Sequence, residues 1–142
     1  MLNCIHRIYT VLGVAMDIII TNSSGEPIYL QIVSQIKTHI MSGQLVAGQA
    51  LPSMRLLAQQ LRISFMTTKR AYEELEREGF IENFAGKGCF VKSQSSCLLR
   101  EESIRQTEEF MIKACEKARL GGLTLEEMKE MLETIYGGVD NV

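Results

Sequence analysis

The sequence predicts a mainly α-helical fold with a small β-wing: a winged helix-turn-helix followed by a short two-helix segment. Three observations carry this reading. Two amphipathic helical patterns, one ending at Leu61 and one starting after Ser64, are separated by only a few residues. A strand-like run, a glycine turn and a return strand follow at once, over Phe80 to Val91. Beyond them lie two more helical patterns with apolar stripes, broken at Gly121-Gly122.

Each element has a local cause. Pro52 sits well just before a helix, and Ser53 is placed to cap one beginning near Met54. Leu56, Leu57 and Leu61 recur at helical spacing, and Ala58 is small enough for another helix to approach. Ile63 is an apolar plug between the helices, and Ser64 is a second N-cap. The next helix runs from about Phe65 to Glu78 with Thr68, Ala71, Tyr72 and Leu75 on its inner face, and Gly79 closes it at positive φ. Phe80 to Phe84 and Cys89 to Val91 read as paired strands around the turn Ala85-Gly86-Lys87-Gly88. Lys87 at that tip points a cation toward a phosphate or a minor groove.

The formal net charge of −2 excludes a protein that coats nucleic acid by bulk charge. Between Arg55 and Lys92 there are seven basic residues (55, 62, 69, 70, 77, 87, 92) and five acidic ones (73, 74, 76, 78, 82), a small local excess of cations. In the second helix Thr67, Lys69 and Arg70 occupy the N-terminal half and Glu73, Glu74, Glu76 and Glu78 the C-terminal half. A recognition helix touches bases with its N-terminal residues, so the acids are expected to lie away from phosphates. They read as a solvated face with ordinary i,i+4 pairs such as Lys69 with Glu73.

With these residues in place, the segment from about 26 to 92 resembles the N-terminal domain of GntR-type bacterial transcriptional regulators. The resemblance rests on Pro27-Ile28-Tyr29 with Gln31-Ile32, a first helix to about Ser42-Gly43, and Leu45 and Gly48. It continues through Leu51-Pro52-Ser53, Arg55, Leu57-Ala58, Leu61, Ser64, Thr67, Ala71-Tyr72 and Leu75-Glu76, then Gly79-Phe80-Ile81 and Gly86-Lys87-Gly88 with Phe90-Val91. The Pro-Ile-Tyr opening and the short tail resemble the YtrA-type subgroup. The resemblance implies that the first helix supports the other two. It implies DNA contacts from Arg55, from Ser64, Phe65, Thr67 and Lys69, and from the wing turn Gly86, Lys87 and Gly88. Relatives often carry arginine where this chain has Phe65. Arginine binds guanine bidentately; Phe65 cannot, and either touches a thymine methyl or packs.

This divides the chain into an N-terminal extension (1–15), a winged helix-turn-helix DNA-binding domain (16–93) and a helical dimerisation segment (97–137). In the last of these a helix from Cys97 to Leu120 carries Leu99, Thr107, Phe110, Met111, Ala114, Cys115 and Ala118 as a stripe. Thr124 and Glu127 form a capping box for a second helix with Leu125, Met128, Met131, Leu132 and Ile135 on its apolar face, stopped by Gly137-Gly138. About 40 residues are too few for an independent core, and a second copy is the simplest partner. In the extension, Ile5, Ile8, Val11, Leu12 and Ala15 fall at helical spacing, and Met16 is an alternative start. The run is too short and too broken by charge to span a bilayer, which places the chain in the cytoplasm. The four cysteines, Cys4, Cys89, Cys97 and Cys115, make no CxxC pair or zinc set. No catalytic residue, metal site or cofactor is expected.

The expected function is sequence-specific transcriptional regulation, as a homodimeric repressor on an inverted-repeat operator of double-stranded DNA. The tail leaves room for a small-molecule effector only in a cleft between helices or subunits. The alternative reading is a winged-helix protein interaction module that does not bind DNA.

Overall fold

The structure, a computed structural model, describes the backbone of residues 5–9 and 15–139. Two short strands, β1 (Ile5–Tyr9) and β2 (Ala15–Ile19), precede three helices, α1 (Ile28–Met41), α2 (Met54–Leu61) and α3 (Phe65–Arg77). A hairpin of β3 (Ile81–Phe84) and β4 (Gly88–Val91) follows, then α4 (Ser96–Leu120) and α5 (Leu125–Val139). One folded unit ends at Ser95 and a second begins at Ser96.

In the first unit the helical periodicities become a core. Ile32, Ile36 and Ile40 of α1, Leu57, Ala58 and Leu61 of α2, and Ala71, Tyr72 and Leu75 of α3 are all buried. Ser53 and Ser64 cap α2 and α3, each side chain accepting a backbone N–H, from Leu56 at 3.2 Å and Thr67 at 3.1 Å. The turn between them is closed by the N–H of Ile63 donating to the carbonyl of Ala58 and that of Arg62 donating to Gln59. This bond pair is a Schellman motif, which needs a left-handed residue at its hinge. Arg62 supplies it at φ 53, where glycine is the usual choice. The same motif ends α3 at Gly79, φ 84, and delivers Phe80 into the core. The wing gains an unforeseen third strand segment: Leu51 donates to Cys89, Val91 to Gln49 and Gly48 to Val91. β4 is therefore held on both edges.

The N-terminal stretch departs from the helical reading. Ile5–Tyr9 and Ala15–Ile19 pair as an antiparallel hairpin, with Ile5 opposite Ile19; Val11 and Leu12 lie outside the described residues. Met16, Ile18 and Ile20 are buried while Asp17 and Ile19 face out, the two-residue period of a half-buried strand. The free edge of this hairpin is satisfied by side chains. Gln35 accepts the N–H of Ile19 and donates to its carbonyl, at 2.8 and 2.7 Å. Gln31 does the same for Thr21, at 2.9 Å each way, and donates to the Glu26 carbonyl at 2.9 Å. Two amides one helical turn apart thus substitute for a neighbouring strand along a stretch with two-residue spacing. Gln31 is only 5% exposed, so Gln31→Ala strands three backbone groups. Its expected cost is about 2–3 kcal/mol, read as a lower urea midpoint for the first unit.

In the second unit Gly122, φ 73, ends α4, and Leu123 folds back with its N–H on the Ala118 carbonyl. The capping box forms as expected: Thr124 N–H donates to Glu127 Oε2 at 2.7 Å, and Glu127 N–H donates to Thr124 Oγ1 at 3.3 Å. Those donors hold the Glu127 carboxyl below its usual value of 4.5. A depressed carboxylate stabilises above its unfolded pKa and loses that contribution as pH falls through the lower folded value. Glu127→Gln should therefore be less stable than wild type at pH 7, with the gap closing below about pH 4, in urea titrations followed by helix ellipticity. Gly137 and Gly138 do not stop α5, which continues to Val139. Neither takes positive φ, and glycine costs only about 1 kcal/mol in a helix.

Candidate nucleic-acid interface

The start of α3 is built for exposure. Its inner positions, Thr68, Ala71, Tyr72 and Leu75, point into the core, which turns Phe65, Met66 and Lys69 outward. Tyr72 fixes the approach of α2. Its hydroxyl donates to the Pro52 carbonyl at 2.7 Å, and burial pushes its pKa up so that the proton stays. That bond holds the entry to α2 against α3 and places Arg55, in the first turn of α2, beside Phe65. The Arg55 guanidinium lies 6.0 Å from the ring centroid, within cation–π range.

Two clefts flank the first turn of α3. One, of about 550 Å³, is lined by Arg55, Ala58, Gln59, Arg62, Ile63 and Phe65. The other, of about 470 Å³, is lined by Tyr29, Met66, Thr67, Lys69, Arg70 and Glu73. The structure so gathers Arg55, Phe65, Thr67 and Lys69 around one helix end. Ser64 and Thr67 are partly committed to the cap: their hydroxyls lie 2.8 Å apart, and Ser64 Oγ also accepts the Thr67 N–H. One O–H of the pair remains to donate. The wing turn is separate from both clefts. Its Lys87 N–H donates to the Phe84 carbonyl at 2.9 Å, Gly86 and Gly88 take φ 75 and 106, and Lys87 is exposed at the tip.

The acidic cluster is not merely a solvated face. Glu73 meets Lys69 at 3.5 Å, as expected of an exposed i,i+4 pair. Glu74 grips Arg77, which holds its carboxyl below the usual range. Glu76 Oε1 accepts the Asn83 N–H at 3.1 Å and ties the helix to the wing. Glu78 pairs with Lys37 of α1, whose side chain is 2% exposed and whose ammonium also lies 5.1 Å over the Phe80 ring. Glu76 and Glu78 anchor the helix from behind, whereas Glu73 lines the cleft of Met66, Lys69 and Arg70. Among the described residues Arg55, Arg62, Arg70 and Lys87 form no ion pair.

This geometry is matched in sequence. Residues 28–91 fit the profile of "Bacterial regulatory proteins, gntR family". The HTH-type transcriptional regulator YhcF of Bacillus subtilis (strain 168) is 35% identical over 117 residues, 81% of this chain and 94% of the relative. The chain belongs to the GntR family. The HTH-type transcriptional repressor YtrA of the same organism is 34% identical over 116 residues, covering 82% of this chain and 89% of YtrA. A solved GntR family transcriptional regulator from Listeria monocytogenes superposes with TM-score 0.64 at 27% identity, over 79% of this chain and 97% of its own. The protein is accordingly a DNA-binding transcriptional regulator of the YtrA/YhcF type rather than an enzyme. No helix among the described residues is long and apolar enough to cross a membrane.

Three residues of this surface, Arg62, Arg70 and Met66, were assigned no DNA contact from the sequence, although Arg62 and Arg70 were counted among its cations. Arg62 owes its placement to the left-handed hinge that ends α2, at φ 53. Arg70 owes its placement to Tyr29, 41 positions earlier, whose ring it covers at 4.0 Å and whose hydroxyl it reaches at 3.2 Å. Met66 carried no polar signal. Cys89, by contrast, is buried, and burial raises its pKa, so it is a poor thiolate; Cys97 and Cys115 are exposed.

Proposed function

We propose that this GntR regulator is a cytoplasmic homodimer that represses transcription by occupying an inverted-repeat operator. The observation that carries the reading is the set of cations that form no ion pair among the described residues, Arg55, Arg62, Arg70 and Lys87, on the helix-turn-helix and wing of a chain whose net charge is −2. Arg55, Ser64, Thr67 and Lys69 meet the major-groove edge and its phosphates, with Arg62 and Arg70 beside them. Phe65 faces the bases, and Gly86, Lys87 and Gly88 reach along the backbone toward the minor groove.

The second unit supports the dimer. Phe110, Ile112, Leu125, Ile135 and Tyr136 are each 60% or more exposed, a large apolar surface for so short a segment. An apolar cleft of about 270 Å³ between α4 and α5, lined by Met111, Met128, Leu132 and Ile135 among others, falls below the usual range for small-molecule sites. It suits side chains of a second copy better than an effector. Two recognition helices related by a two-fold axis then read half-sites one helical turn apart.

A gel shift on the DNA upstream of the protein's own gene tests the reading. Binding at low salt should fall steeply as salt rises. Lys69→Ala should weaken binding to all sequences and flatten the salt slope by about one for each half-site. Absence of any shift at low salt would refute operator binding.

A further inference from the structure

We infer that Phe65 and Met66 read thymine methyl groups, so that this regulator recognises its operator by apolar contact where a bidentate reader is absent. The inference rests on the operator-binding reading above. Phe65 is 42% and Met66 65% exposed at the first two positions of α3, the end of a recognition helix that approaches base edges. The core does not need them, because Thr68, Ala71, Tyr72 and Leu75 supply the inner face.

Cations flank both side chains. Phe65 shares its cleft with Arg55 and Arg62, and Met66 shares the other with Lys69 and Arg70. Two apolar side chains between phosphate-binding groups are poorly placed for an apolar protein surface, and well placed for a groove floor between two phosphate backbones.

Hydrogen-bond readout at this end is thin. The first turn, Phe65-Met66-Thr67-Thr68, holds no arginine, asparagine or glutamine. The Thr68 side chain is buried, and Thr67 shares its hydroxyl with the Ser64 cap. In the major groove the thymine 5-methyl is the feature that an apolar side chain distinguishes.

The test starts from duplexes selected out of a random-sequence pool with the full-length protein. Each selected duplex is then remade with uracil in place of thymine, which keeps every base pair and removes only the methyl. Wild type should bind the uracil duplex about fourfold more weakly for each contacted methyl, from about 0.8 kcal/mol per buried methylene-sized group. The double variant Phe65→Ala/Met66→Ala should bind both duplexes equally, and Phe65→Arg should move the selected sequence from thymine toward guanine. Equal wild-type affinity for thymine and uracil duplexes would overturn the inference and leave operator binding standing. Failure to enrich any duplex would overturn both. The wild-type comparison needs no variant, so the outcome does not depend on how a substitution folds.

Discussion

Placing glutamate at Ile135 is expected to leave the protein monomeric at micromolar concentration and to weaken operator binding about a hundredfold or more. Ile135 is 62% exposed on α5, so the carboxylate costs an isolated chain little and glutamate is a good helix former. In the proposed dimer the same carboxylate has to leave water against an apolar partner without a cation, which proteins avoid at a cost of several kcal/mol. Operator affinity falls with the dimer because the second half-site is bound at high effective concentration only when the two recognition helices are joined. Light scattering gives the mass, ellipticity checks the helices, and a gel shift reads the affinity. A dimer of wild-type affinity would refute the assignment of this face.

Replacing Glu78 with alanine is expected to destabilise the first unit by about 2–3 kcal/mol, while Lys37→Met costs less than about 1 kcal/mol or stabilises. The asymmetry comes from desolvation. The Lys37 side chain is 2% exposed and its ammonium touches the Glu78 carboxylate. Removing the acid leaves that buried ammonium without the carboxylate, a change that costs about 3–5 kcal/mol when both partners are fully buried. Glu78 is 29% exposed, and water entering at its position lowers the cost to the figure given. Methionine in place of Lys37 removes the charge, retains most of the volume and packs against Phe80, over which the ammonium now lies. A double-mutant cycle in urea decides the matter: once Lys37 is methionine, losing Glu78 should cost little. Losses that add in the double variant would show that the residues matter through packing alone.

Helix boundaries of the DNA-binding unit were legible because their causes are local. Ser53 and Ser64 sit one residue before the helices they cap and Gly79 ends α3; in the second unit, Thr124 with Glu127 makes a box within a single turn. The inner faces followed from spacing alone. The N-terminal stretch was misread because Ile5, Ile8 and Ala15 suit a helix as well as a strand. The choice was made by pairing across the hairpin and by Gln31 and Gln35, whose partners lie 10 and 16 residues away. The tail glycines failed as a stop because glycine ends a helix only where the chain turns left-handed, and here it does not.

At the site, residue identities were legible and their availability was not. Arg55, Phe65, Thr67, Lys69 and Lys87 follow from position in the motif. Their surroundings depend on residues far off in the chain: Tyr29 holds Arg70, Pro52 receives Tyr72, and Lys37 meets Glu78 across 41 residues. The acids of α3 show the difference most clearly. In sequence they look like a negative face on a DNA-reading helix. In space two of them, Glu76 and Glu78, tie the helix to the wing and to α1.

Capping, turn chemistry and apolar period act within a few residues, so the order of residues alone was enough for the winged helix-turn-helix and the family. Which cations stand without carboxylates, and which apolar side chains stay in water, was decided only by folding. Coulomb and desolvation energies depend on distance and burial, and those come into being when distant segments meet.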